Sequence, residues 1–71
     1  MNEIEKSARD SAEMEHHIKL LGQNGPGSML TVEGSKLVAF RQRMTKKTAE
    51  LFDKVIADMR DAGTLRINDP G

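Results

Sequence analysis

The sequence predicts an all-α fold. Its form is a helical hairpin, with a short helix over residues 2–21, a long helix over 35–62 and a short extended C-terminal tail, dimerising into a helical bundle. Three observations carry the prediction. Apolar residues recur at helical spacing through two segments, a glycine-rich break separates those segments, and the longer one carries more apolar surface than the shorter one covers. The 71 residues allow a single small domain, 1–71. A chain of that length buries little core alone, so self-association is an expected route to stability.

The first helix rests on Ile4, Ser7, Ser11, Met14, Ile18 and Leu21, which follow one another at spacings of three and four and so share one face. Ala8 and Ala12 widen that face. Two of its positions are serine, which lets another helix approach closely but adds little apolar burial. Glu5–Arg9 and Glu15–Lys19 lie four apart in the favourable order, each stabilising by about 0.2–0.5 kcal/mol. Gly22 suits the left-handed residue after a helix, and Asn24-Gly25-Pro26-Gly27 cannot continue one, so residues 22–34 form a connector. Met29, Leu30 and Val32 tack that connector onto the bundle. Thr31 or Ser35 can cap the next helix.

The long helix follows from phase. Leu37, Phe40, Met44, Thr48, Leu51, Val55, Met59 and Ala62 trace one face with a mean spacing of about 3.6 residues, the period of an α-helix. The phase runs through "RMTKKTAE" without a slip, and that stretch holds neither Gly nor Pro. One unbroken helix over 35–62, on the order of 40 Å long, is the expectation. Phe52 and Ile56 broaden its face, and Glu50–Lys54 adds a favourable pair. Gly63 closes it as a left-handed cap. In the tail over 63–71, Leu65 and Ile67 alternate with polar neighbours, which makes a short extended segment. Such a strand needs a partner strand, from a dimer mate or a bound protein, and otherwise packs back on the helices. Asn68-Asp69-Pro70-Gly71 ends regular structure.

Composition narrows the function classes. There are no cysteines, which excludes disulfides and thiolate metal sites. The polar, acidic N-terminus "MNEIEKSARD" excludes a signal peptide and a membrane span, and a cytoplasmic protein is expected. Eleven basic residues balance eleven acidic ones, so overall charge does not favour nucleic acid. The distribution is uneven, however. Residues 23–47 hold Lys36, Arg41, Arg43, Lys46 and Lys47 against Glu33 alone, between two acidic ends.

No catalytic constellation is present. A cysteine nucleophile is lacking, no serine sits in a nucleophile elbow, and the carboxylates fall on helix exteriors. His16 and His17 are adjacent, so their side chains point about 100° apart on a helix and do not chelate one ion. "GQNGPG" lacks the Lys-Ser/Thr ending and preceding strand of a phosphate loop. No enzyme activity, cofactor or metal is expected.

The function that follows is a small regulatory protein, working as a homodimer, that binds and masks a larger protein such as a transcriptional regulator. In size and composition it is similar to small modulators encoded by phages and mobile elements. Leu37, Phe40, Met44, Leu51, Val55 and Met59 would form the dimer or partner seam. Arg41, Arg43, Lys46 and Lys47 would form a basic rim for an acidic partner or nucleic acid. The set of Met14, Met29, Met44 and Met59 serves equally as core filler or as an adaptable binding face. A third reading makes the chain a subunit of a larger assembly.

An alternative comes from a partial resemblance. "NGPGSMLTVEGSKL", "MTKKTAELFDKVIADMRDAGTLRI" and "DP" together resemble the second helix, recognition helix and first wing strand of winged helix-turn-helix regulators over residues 24–70. The resemblance implies DNA binding through residues 36–60. The sequence departs from that pattern in three ways: the recognition helix runs too long, the returning wing strand is missing, and the helical phase crosses the supposed turn.

Overall fold

The computed structural model describes residues 3–25, 27 and 29–68. The start of the first helix at Asn2, Pro26 and Ser28 of the connector, and the Asp69-Pro70-Gly71 stop lie outside the described residues. In chain order the elements are α1 (Glu3–Leu21), β1 (Gln23–Asn24), β2 (Leu30–Glu33), α2 (Gly34–Gln42), α3 (Lys46–Asp61) and β3 (Leu65–Asn68). The fold is α+β. The expected all-α helical hairpin is overturned by two findings, a mixed three-stranded sheet and a break in the long helix.

Leu21 ends α1 where expected. Glu3 and Glu5 stand in its first turn and Lys19 in its last, each at the end of the helix dipole that favours its charge. Met14 and Ile18 are buried, whereas Ile4 is 80% exposed. The fully buried positions of the helix therefore lie in its C-terminal half. Lys19 and Glu15 form the anticipated pair, 3.6 Å apart on the surface.

Gly22 does a different job from the one expected. It has no positive φ, so it is not a left-handed cap. A Cβ there would stand 2.5 Å from the Thr31 carbonyl oxygen and 2.5 Å from Val32 Cγ2. The glycine is required because β2 passes against the chain as it leaves α1. The connector is a hairpin, with Gln23 opposite Thr31 and Asn24 opposite Leu30, closed by the Gly25 N–H donating to the Met29 carbonyl at 2.7 Å.

β2 occupies the centre of the sheet, and β3 lies parallel to it on the far side. The tail strand thus finds its partner in its own chain. Leu30 and Val32 of β2 and Leu65 of β3 point into the core, with Ile67 half-buried beside them. Alternate positions of β3, Arg66 and Asn68, face solvent, as the pleat of a one-sided sheet dictates. The core joins these strand residues to Met14, Ile18, Leu37, Phe52, Val55 and Met59 from the three helices. Full burial of such a side chain is worth about 1.5–3 kcal/mol.

Neither Thr31 nor Ser35 caps α2. Glu33 stands at its N-cap without a side-chain hydrogen bond. Gly63 does act as the left-handed cap of α3, at φ 73°. Its N–H donates to the Arg60 carbonyl and the following Thr64 N–H to the Met59 carbonyl, each at 3.0 Å, and the pair satisfies two carbonyls the helix end leaves open. No helix of the described residues is long and apolar enough to cross a membrane.

Candidate nucleic-acid interface

Residues 43–45 separate α2 from α3. The Arg43 and Met44 N–H groups donate to the Phe40 and Arg41 carbonyls at 3.3 and 3.0 Å, a tightened last turn that stops α2 without a glycine. Thr45 then turns extended, at φ −68° and ψ 162°, and its Oγ1 accepts the Thr48 N–H at 3.2 Å. Its carbonyl takes the first bond of α3, from Ala49 N–H at 2.9 Å. Thr45 is therefore an N-cap, and the continuous helix over 35–62 does not form.

Two contacts hold the helices on either side of this turn. On the apolar side, the Phe40 and Phe52 rings meet edge to face, 5.9 Å apart. On the solvent side, Arg41 Nε and Nη2 donate to Asp53 Oδ1 and Oδ2, both at 2.9 Å. The bidentate geometry raises the guanidinium's pKa. It also holds the Asp53 carboxyl below the ordinary carboxylate range, through the hydrogen bonds first and the charge of Arg41 besides.

The basic run divides accordingly. Arg41 is committed to Asp53, while Arg43, Lys46 and Lys47 are exposed around the start of α3. Lys36 on α2 and Lys54 on α3 are exposed as well. The first turn of α3 has two lysines and no acidic residue. Cations at that end of a helix work against its dipole, and the exposed N–H groups there favour an anion. One outward stripe of α3 runs Lys46, Glu50, Lys54 and Ala57, all exposed. Among the described residues Glu50 has no ion-pair or hydrogen-bond partner, and the pair expected with Lys54 does not form.

The expected seam is spent on the chain's own core. Leu37, Val55 and Met59 are buried, and Phe40, Met44 and Leu51 pack half-buried against them. α1 and the sheet cover the surface that a second copy was expected to cover. Among the described residues, the exposed large apolar side chains are Ile4, Leu20, Met29 and Val38, which are scattered along the sequence. His16 and His17 lie with ring centroids 5.9 Å apart, and His17 stands 6.4 Å from Phe40 at the edge of a groove that Arg43 and Thr48 also line. No group of three potential metal ligands is found among the described residues.

Sequence reasoning did not read Thr45 as a cap, gave Asp53 no partner, and took Lys54 only as the partner of Glu50. Thr45 carried a readable signal, a threonine three residues before another, just ahead of the apolar run of α3. Asp53 carried none, because its partner is twelve residues away on another helix. Comparison of the chain with family models, with curated proteins and with solved structures returns no match.

Proposed function

We propose that the chain is a DNA-binding regulator in which α2, residues 43–45 and α3 act as a helix-turn-helix and α3 enters the major groove by its N-terminal end. The observation that carries this is the Thr45-capped break, which starts a separate 16-residue helix on two exposed lysines. An unbroken helix would give no such end. Arg43, Lys46 and Lys47 are exposed and would meet phosphates on either side of the entry point, while exposed Lys36 and Lys54 would extend the basic surface along both helices. The order α2, α3, β3 is the order of second helix, recognition helix and first wing strand that the winged helix-turn-helix resemblance implies. Of its three departures, the over-long recognition helix resolves into two helices. The unbroken phase reflects two helices that present their apolar residues to one core. A returning wing strand is absent among the described residues. A cytoplasmic setting belongs to this reading. The masking of a larger protein loses its motivating observation, since the apolar surplus is covered within the chain.

The test is an electrophoretic mobility shift with mixed-sequence duplex DNA at low salt. Retention that weakens steeply with salt is expected, with log K falling by about 0.9 per log unit of salt for each phosphate contacted. Arg43→Ala and Lys47→Ala should each lower affinity for all duplexes alike and reduce that slope by about one. A chain that shifts no duplex at the lowest salt is not a DNA-binding protein.

A further inference from the structure

Glu50 is out of place on a face meant for a polyanion. It sits one turn into α3 and one turn before Lys54, in the centre of the outward stripe, exposed to solvent and with no side-chain partner among the described residues. The neighbouring carboxylate, Asp53, is neutralised by the two bonds from Arg41. On the turn-proximal half of α3, Glu50 is therefore the uncompensated negative charge. Apposed to phosphates it would cost affinity. In the major groove, however, the base edges present donors as well as acceptors, and a carboxylate is suited to the exocyclic N4 amino group of cytosine.

Resting on the helix-turn-helix reading, we infer that Glu50 is the specificity-determining residue: its carboxylate accepts a hydrogen bond from a cytosine N4 amino group, while Lys46 and Lys54, one turn to either side, hold α3 in the groove. Lys46 and Lys54 keep the carboxylate from facing the phosphates unscreened. Duplexes lacking a C·G pair at that step leave the carboxylate desolvated and unpaired, which is the source of discrimination.

The experiment is selection from a randomised duplex library at fixed low salt, run with the wild-type chain, Glu50→Ala and Glu50→Gln. Glu50 is exposed, so both variants should keep the fold, which circular dichroism checks. The wild-type chain should enrich sites with cytosine at one position, by about ten-fold over other bases. Glu50→Ala should bind unselected duplex more tightly and lose that preference. Glu50→Gln should move the preference towards adenine, whose N6 and N7 match an amide. Should Glu50→Ala retain the wild-type cytosine preference, or should wild type bind duplex with no preference at any position, the assignment of Glu50 is overturned while DNA binding stands. Should wild type bind no duplex, the helix-turn-helix reading falls and the assignment with it.

Discussion

Arg41 and Asp53 face each other across the turn that separates α2 from α3, joined by two parallel hydrogen bonds of 2.9 Å. The pair fixes the solvent side of the joint as Phe40 and Phe52 fix its apolar side. Because the Asp53 pKa is lowered in the folded chain, the stabilisation it brings is present above its unfolded value, about 3.9, and is lost as pH falls through the folded one. Asp53→Asn keeps the shape and removes the charge. Its thermal midpoint should lie below that of wild type at neutral pH, and the gap should close in strongly acidic buffer. Both groups are exposed, so the gap should also narrow in about 1 M salt. Thermal scans of the two chains across pH and salt check this, and a gap that persists in acid would assign the loss to packing instead.

Thr45 decides whether there are one or two helices here. Thr45→Ala removes the acceptor for the Thr48 N–H and should cost about 1 kcal/mol in urea unfolding. Thr45→Asp restores an acceptor and adds a negative charge at the helix end that favours one, so it should recover most of that loss. Equal losses for alanine and aspartate would mean that the hydroxyl is not the capping group.

The reach and the limit of the sequence both show at this joint. Apolar spacing located α1 and the core face of α2 and α3, and the glycine after the last apolar position located the left-handed cap at Gly63, because each depends on neighbours within a turn of helix. Apolar spacing missed the break, because a three-residue turn returns α3 to the same core with its apolar residues still in step. It missed β2 for another reason. Leu30–Glu33 is too short to show a period, and its partner β3 begins thirty-five residues downstream, at Leu65 opposite Leu30. The basic run was legible as charge but not as geometry, since only the fold shows that Arg41 is held by Asp53 and that Lys46 starts a helix.

Two glycines should respond to the same substitution for different reasons. Gly63→Ala meets no atom within 4 Å and suffers only from φ 73°, a cost of about 1 kcal/mol that asparagine should lessen. Gly22→Ala drives a Cβ into the Thr31 carbonyl, a backbone atom that cannot swing aside, and should cost more, about 1–3 kcal/mol. Asparagine at position 22 should be worse than alanine. Urea unfolding of the four variants separates the causes, and an asparagine that rescues both positions would contradict the steric account of Gly22.

The parallel register sets which amides of β3 are protected. Leu30 N–H donates to the Thr64 carbonyl at 2.9 Å, with Leu30 opposite Leu65. In a parallel ladder, alternate residues then turn to the neighbour, so the Arg66 and Asn68 N–H groups bond to β2 while those of Leu65 and Ile67 point to the open edge. Hydrogen exchange should be slow at Arg66 and fast at Ile67, although the Ile67 side chain is the more buried of the two. The reverse order would require a register shifted by one residue.

Lys46 should reveal a conflict between stability and function. It begins α3 where the dipole disfavours a cation, on the outward stripe and clear of the α1 carboxylates, Glu3 and Asp10, that share a groove with Lys47. Lys46→Ala removes that repulsion and supplies a better helix former, so the chain should gain about 0.3–1 kcal/mol in urea unfolding. The same change removes a cation from the proposed groove-entry point, so duplex affinity should fall and the salt dependence should flatten. A variant that gained stability and bound duplex as well as wild type would show that α3 does not enter DNA by this end.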